Sequence, residues 1–266
     1  MRDIITQKLS RVAEGFSQYK TAMKNNQIIK NLIKETIGEV LGEERPYILG
    51  FSHVKGFVPE RAEGLEFCIT IGLKLDDDII DSINEGPTPE YFEHYWDINK
   101  NLKTISERIQ DHIANHLGRR ALAMLPTTPE DEKKTEKFQK ELGSDFSHKI
   151  GATQSGLGWI GKTALFISKR FGPRLRLVSI LTDFPLDAGT PINESLCGEC
   201  TICVDRCPAA AGSGIKWKKG MKREDFFNPH QCAEACKKLT KERLNEERLI
   251  CGICVAICPF GKDEKP

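Results

Sequence analysis

The sequence lacks any long hydrophobic run. None of its apolar stretches approaches the ~20 residues that a membrane-spanning helix needs. It also lacks an excess of charge, because 39 basic and 38 acidic residues leave a formal net charge of +1, so no partner is indicated by overall electrostatics. Residues 1–24 have the periodicity of an amphipathic helix and not the apolar core of an export signal. We therefore expect a cytoplasmic protein without a membrane partner.

Cysteine is almost absent from the first 190 residues, where Cys68 is the only example, in an apolar strand-like segment. Nine further cysteines lie between Cys197 and Cys258. Because disulfides are rare in the cytoplasm, this density indicates metal or redox chemistry. The change in composition predicts an α/β domain at 1–190 and a small cysteine-rich domain at 191–266. Cys68 itself is expected to be a small buried apolar residue.

Helical and strand-like patterns alternate along the first 190 residues. Helical spacing covers 27–41 and 146–154, and a long helix is expected after Thr88, an N-cap followed by Pro89, as far as Gly118. Apolar and β-branched content predicts strands at 47–51, 67–73, 121–125, 163–168 and 174–182. The alternation favours an α/β sandwich covered by helices. The charged run at 128–141 is expected to be solvated and without function.

The first cysteine motif is a complete bacterial ferredoxin run. Cys197, Cys200 and Cys203 are separated by two-residue spacers, and Cys207-Pro208 follows after three residues. Such spacing presents three thiolates to one cubane, whereas the fourth cysteine of the run serves a neighbouring cluster. The motif by itself therefore predicts two 4Fe-4S clusters.

The second motif, Cys251, Cys254 and Cys258-Pro259, is one ligand short, since Arg248 stands where a further cysteine belongs. Cys232 and Cys236 are the candidates for that place, and we favour Cys232. The reciprocal pattern assigns one cluster to Cys197, Cys200, Cys203 and Cys258, and the other to Cys207, Cys232, Cys251 and Cys254. The alternative is a pair of structural zinc sites, which have no need of the third close cysteine or of the Cys-Pro sequence.

A glycine-dense segment precedes the cysteine motifs and is too rich in glycine for the interior of a helix or strand. It lacks the spacing of a phosphate-binding loop, so nucleotide binding is not favoured. Its residues are Gly156, Leu157, Gly158, Trp159, Ile160, Gly161 and Lys162. By itself the segment indicates a structural turn.

This segment, the sequence Leu-Thr-Asp-Phe-Pro-Leu at 181–186 and the cysteine motifs, in that order, resemble the epoxyqueuosine reductase family. The resemblance runs from about 146 to 259. It implies a cobalamin cofactor held base-off between the N-terminal domain and a ferredoxin-like module with two 4Fe-4S clusters, an architecture related to reductive dehalogenases. On this resemblance the glycine-dense segment is predicted to bind the cofactor. The sequence stops soon after Pro259, so we expect a short form without the C-terminal helical repeats.

The chain departs from the family in the motif before the glycine-dense segment. Leu142 stands at the position of the family's proton-donating aspartate, His148 at that of a glutamate, and Lys149 at that of an arginine. The nearby Asp145 and His148 are therefore the candidate general acids, and His148 is expected to titrate near neutral pH.

Two functions remain open at the level of sequence. The first is a reductase in which a low-potential ferredoxin or flavodoxin reduces the clusters, and these feed a cobalamin that cleaves a bond in a modified tRNA nucleoside or a related substrate. The second is a non-catalytic electron carrier or a partner that reduces cobalamin. A basic cluster, formed by Lys216, Trp217, Lys218, Lys219, Lys222 and Arg223, fits either tRNA or an acidic electron donor.

Overall fold

The structure is a computed structural model that describes residues 2–42, 45–127 and 141–262. The charged run predicted at 128–141 lies, apart from Glu141, outside the described residues. The helices are α1 Arg2–Leu41, α2 Asp77–Asp81, α3 Pro89–Leu117, α4 His148–Gln154, α5 Ile202–Asp205, α6 Pro229–Leu244 and α7 Ile253–Ala256. The strands are β1 Tyr47–His53, β2 Phe67–Lys74, β3 Ala121–Met124, β4 Gly158–Ile160, β5 Phe166–Ser168 and β6 Leu175–Thr182.

The central sheet has the order β1-β2-β6-β3, and every neighbouring pair is antiparallel. Its two faces are covered differently because side chains alternate along each strand. Ile69, Ile71 and Leu73 of β2 face a core shared with α1 and α3. Cys68 lies on the opposite face, where Gly151 of α4 packs so closely that an added Cβ would come within 2.7 Å of the Cys68 sulfur. The predicted α/β layering is thus present, as an antiparallel sheet between helices.

The long helix is delimited as the sequence predicts. Thr88 accepts a hydrogen bond from the Tyr91 amide at 3.2 Å, and Gly118 ends α3 in the left-handed conformation with φ 59°. The two helical segments predicted before residue 42 are one continuous helix, α1. The prediction that the glycine-dense segment excludes regular structure is wrong, because its middle forms β4, which pairs with β5 in a two-stranded sheet.

The cysteine-rich segment packs against the first part of the chain. Ile250, Val255 and Ala256 belong to the same apolar core as Ile83 and Tyr91. The buried Arg174 guanidinium reinforces this junction, because it donates to Asp77 and Asp81 around α2 and to the Ala256 carbonyl of α7. The cysteines are thereby fixed relative to the sheet, while the predicted boundary at residue 190 stays a prediction. Over the part of the chain that is described, no helix has the length and apolar content to cross a bilayer.

Candidate functional site

The cysteines predicted to hold the first cluster line one small cavity. Cys197, Cys200, Cys203 and Cys258 surround about 20 Å³ together with the end of the glycine-dense segment, Gly161 and Lys162. Three of these cysteines come from the turn around α5 and the fourth follows α7, and α5 and α7 are in contact. The fold therefore brings together four thiols that span 62 positions of sequence.

A second cavity, of about 400 Å³, is lined by the remaining motif cysteines, Cys207, Cys232, Cys251 and Cys254, and also by Cys236. Cys254 lines both cavities, so the two cysteine groups are adjacent. Both candidates for the missing ligand thus reach the second group.

Cys232 and Cys236 differ in their surroundings. Their sulfurs are 4.0 Å apart, one helical turn from each other on α6. Cys232 is half-buried in the first turn of the helix, where the N-terminal dipole stabilises a thiolate, and a hydrogen bond from Cys236 lowers its pKa. Cys236 is buried, and its hydrogen bonds to Cys232 and Cys251 raise its pKa. This arrangement favours Cys232 as the ligand and Cys236 as a thiol that donates to it.

Within the described ranges, no three His, Cys, Asp or Glu side chains converge closely enough to hold a single metal ion. The four-thiol sets are therefore defined by the cavities that they line. The choice between iron-sulfur clusters and zinc stays a prediction that elemental analysis decides.

A larger cleft opens from the second cysteine group. Cavities of about 720 Å³ and 310 Å³ adjoin the 400 Å³ cavity, and all three share Lys149 and Ala164. Ala164 adopts φ 57°, a conformation that is unusual for a residue with a side chain. The apolar lining includes Ile160, Phe166, Leu175, Leu177, Trp217 and Phe226. Adjacent cavities thus extend from the second cysteine group to Trp217 and Arg223 of the basic cluster.

Lys149 stands where the three cavities meet. Its ammonium donates to the Ala164 carbonyl at 2.8 Å. Burial, with a contribution from the Arg223 charge, lowers the pKa of Lys149 from its ordinary 10.5 to about 8. Sequence reasoning noted Lys149 only as a substitute for the family's arginine, because no local pattern shows that its side chain reaches a cavity.

The predicted acids Asp145 and His148 have other surroundings. Asp145 is exposed and lies 3.4 Å from the Arg61 Nε. His148 faces the sheet, where its Nδ1 is 3.1 Å from the Ser179 Oγ. Burial and the nearby Arg176 lower the pKa of His148 to about 4, so the expected titration near neutral pH is not supported. Their catalytic role stays a prediction.

Two further residues of the cleft have no signature in the sequence. Arg176 lines the 310 Å³ and 400 Å³ cavities, with its guanidinium 4.1 Å from the centre of the Tyr95 ring. Tyr91 lines the 310 Å³ cavity, and burial raises the pKa of its hydroxyl. Leu142 lines the 720 Å³ and 400 Å³ cavities, so the position of the family's aspartate faces the cleft with an apolar side chain.

The glycine-dense segment lies between the two kinds of cavity. In β4, Ile160 lines the 720 Å³ cavity, whereas the Trp159 indole points toward the first cysteine group. Gly158 packs against the backbone of β5, where an added Cβ would lie 2.0 Å from the Ile167 carbonyl oxygen. Glycine is thus required here for close approach of the backbone.

Comparison with known proteins connects this arrangement to characterised relatives. No family model matches the chain. The chain is 26% identical over 174 residues to an epoxyqueuosine reductase of Leadbetterella byssophila, which covers 65% of this chain and 50% of that protein. It is 32% identical over 115 residues to an epoxyqueuosine reductase of Cyclobacterium marinum, an alignment that covers 43% of this chain and 37% of that protein. The chain spans half or less of the length of these relatives.

Solved structures share the fold. A catabolic reductive dehalogenase aligns with a TM-score of 0.63 at 16% identity, over 91% of this chain and 32% of that one. An epoxyqueuosine reductase aligns with a TM-score of 0.55 at 17% identity, over 88% and 67%. The resemblance predicted from the glycine-dense segment and the cysteine motifs is therefore confirmed: this chain is similar in sequence to the epoxyqueuosine reductases, and its mixed α/β fold is theirs and that of the reductive dehalogenases.

Proposed function

We propose that this chain is an oxidoreductase in which two 4Fe-4S clusters pass electrons to a cobalamin that carries out reductive cleavage of a substrate. The observation that carries the proposal is that the second cysteine cavity adjoins the 720 Å³ and 310 Å³ cavities, with Lys149 and Ala164 lining all three. Electrons entering at the cysteines would reach the cleft without crossing the sheet.

The cysteine groups fit the proposed clusters. Each group supplies four thiols, in the reciprocal arrangement that belongs to two-cluster ferredoxins. The clusters supply one electron at a time, with no bond made or broken in the protein. The second group lies against the cleft and the first lies farther from it, so the first is the one that receives electrons from a donor such as ferredoxin or flavodoxin. On this proposal 191–266 is a ferredoxin-like module, and the cleft is lined by both parts of the chain, with Lys149 and Ala164 from 1–190 and Trp217 and Phe226 from 191–266.

The cleft fits a cofactor larger than an ordinary small ligand. Single ligand pockets measure roughly 300 to 1,000 Å³, and here three cavities of that order lie side by side around Lys149 and Ala164. Ile160, Ala164, Phe166 and Leu177 would hold the apolar faces of a corrin, and Trp217 lies at the basic end. A bound cobalamin supplies the reducing metal centre. The protein contributes position, exclusion of water and a proton.

Lys149 is our candidate for the proton donor. Removal of an epoxide oxygen takes two electrons and two protons and releases water, so at least one donor must face the reacting atoms. Lys149 lines all three cavities, and its pKa, lowered to about 8, allows its ammonium to release a proton close to neutral pH. Asp145 is exposed and His148 is neutral above a pKa of about 4, so neither matches this position as well.

The proposed substrate is an epoxide-containing nucleoside in tRNA. This rests on the named relatives and on the fold shared with an epoxyqueuosine reductase solved with a modified tRNA stem loop, which aligns with a TM-score of 0.55. Within the basic cluster, Lys218, Lys219 and Lys222 are exposed, while Trp217 and Arg223 line the 720 Å³ cavity. A phosphate backbone held by these lysines would place one nucleoside at the cleft.

The decisive experiment is anaerobic purification, reconstitution with iron, sulfide and cobalamin, and absorption spectroscopy. We expect about eight irons per chain and the spectrum of a bound, base-off corrinoid. Cys200→Ser should lose iron, whereas Cys68→Ala, which removes a cysteine on the far face of the sheet, should keep it.

The alternative function, a non-catalytic electron carrier, predicts the same iron content without any corrinoid spectrum. Zinc in place of iron would overturn both functions. The predicted cytoplasmic location is independent of this experiment and stays a prediction.

A further inference from the structure

The Trp159 side chain is directed at one of the predicted iron ligands. Its indole Nε1 donates to the Cys197 sulfur across 3.3 Å. Only 4% of the residue is exposed, and the ring is fixed by an edge-to-face contact with Phe260, 5.1 Å between centroids. A buried indole N-H that donates to sulfur is a directed interaction and not a passing surface contact.

Lys162 and Thr163 face the same thiols. Lys162 is 3% exposed and lines the small cavity with Cys197, Cys200 and Cys203. Its charge also acts on the exposed Glu199, whose pKa is lowered first by Lys216 and further by Lys162. The Thr163 side chain lines the same cavity, and it lines the 400 Å³ cavity as well. A negatively charged group in the small cavity would be a further partner for Lys162.

We propose that Trp159, Lys162 and Thr163 form the polar environment that sets the reduction potential of the first cluster, so that part of the segment predicted to bind the corrinoid serves the iron-sulfur site instead. The inference rests on the proposed function, because it requires the first cluster. It assigns the two faces of β4 different tasks: Ile160 faces the cleft and Trp159 faces the cysteines.

The physical reason is the charge of the cluster. Four thiolates make the site negative, and reduction adds another negative charge. Hydrogen bonds to the sulfurs and a nearby cation stabilise the reduced form more than the oxidised form, so they raise the potential. Trp159 and Lys162 each act in this direction. Their effect should be confined to the first cluster, because neither lines the cavity of the second group, whereas Thr163 lines both cavities.

The test uses the anaerobically reconstituted full chain and a redox titration followed by electron paramagnetic resonance. Trp159→Phe removes the N-H and keeps an aromatic ring, and Lys162→Met removes the charge. Each variant should keep the wild-type iron count and shift the potential of one cluster to a lower value. Lys162→Arg keeps the positive charge and should therefore have a potential closer to that of the wild type than Lys162→Met. Trp96→Phe is the matched control, since Trp96 lies on α3 and its buried indole nitrogen has no hydrogen-bond partner among the described residues.

Unchanged potentials in Trp159→Phe and Lys162→Met, with iron intact, would overturn the inference. If either variant fails to bind iron, Thr163→Val, which removes only the hydroxyl, carries the same expectation and the same refutation. A wild-type chain that binds no iron would instead overturn the proposed function. The inference does not depend on bound cobalamin, so the titration is performed without it.

Discussion

At the scale of single residues, Lys149 links the geometry of the cleft to a pH dependence. Its pKa of about 8 lies below its ordinary value, so the ammonium that donates a proton is the main form only below that pH. We expect turnover of an epoxyqueuosine-modified tRNA stem loop to fall as the pH rises through 8. Lys149→Arg, which keeps the charge but does not release a proton, should lose activity by about 10²-fold or more below pH 8 and should not show the fall in turnover above it. An unaltered pH-rate profile in this variant would contradict the assignment.

His148, the neighbouring residue, makes the stability of the folded chain depend on pH in the acidic range. The pKa of His148 is about 4 in the folded chain, whereas an unperturbed histidine has a pKa of 6.5. Between these two pH values the unfolded chain therefore binds one proton more than the folded chain. Stability therefore rises with pH in this window and falls as the pH drops from 6.5 to 4. The melting temperature should decrease by ~5–10 °C over that range, and less in His148→Gln. His116→Gln, on the exposed surface of α3, should follow the wild type.

At the scale of structural elements, two glycines at equivalent places of the cysteine motifs differ in how much room a side chain would have. Gly198 and Gly252 both follow the first cysteine of a motif with positive φ, 56° and 89°. An added Cβ meets nothing within 4 Å at Gly198, but lies 2.3 Å from the Ile83 Cδ1 at Gly252. Gly198→Ala should destabilise by only about 1 kcal/mol and keep its iron. Gly252→Ala should lose about half of the iron, measured by iron and sulfide assay; equal iron in both variants would refute this.

Arg174 joins β6 to α2 and α7 through a buried guanidinium, and the two sides of this ion pair are not equivalent. Asp77 and Asp81 are more than one third exposed, so water can solvate them if the arginine is removed. The Arg174 residue is 1% exposed, so its guanidinium is kept from water if the two carboxylates are neutralised. The double change Asp77→Asn with Asp81→Asn should therefore destabilise by roughly 3–5 kcal/mol, and Arg174→Met by less. Thermal unfolding measures the destabilisation caused by each change. A larger loss of stability in Arg174→Met would contradict this argument and show that the unpaired carboxylates cost more than the unpaired guanidinium.

At the scale of the whole molecule, the sheet and the cysteine segment depend on different forces. The sheet is stabilised by apolar burial, with Ile69, Ile71, Val178 and Ile180 all fully buried. The helices α5 and α7 have four residues each, too short to be stable without a partner.

Removal of iron by a chelator should therefore increase hydrogen-deuterium exchange in 197–207 and 251–258 while β2 and β6 stay protected. Mass spectrometry of the iron-loaded and iron-free chains measures this. An equal loss of protection in the sheet would show that iron holds the whole fold.

Local chemistry explains which features were predictable. The α3 boundaries follow from Thr88, Pro89 and Gly118, because caps and turns depend on neighbours in sequence. Strand β4 was missed altogether, since the density of glycine indicated a turn and the strand depends on backbone contact with Ile167. The continuity of α1 was missed as well. Helical periodicity indicates that a helix is present, but it does not show whether two helical segments are joined without a break.

The sequence by itself determined the cysteine spacing, and with it the prediction of two sets of thiols, because the reach of a short turn between cysteines is fixed by the number of residues in it. The choice between Cys232 and Cys236 stayed open. The sequence also carried the resemblance to the epoxyqueuosine reductases. Only the tertiary structure decided that Lys149 faces the cleft, that His148 faces the sheet, and that Trp159 and Lys162 lie against the first cysteine group. These placements depend on how α4, β4 and the cysteine turns pack together. Contacts between residues that are distant along the chain leave no periodic pattern in the sequence.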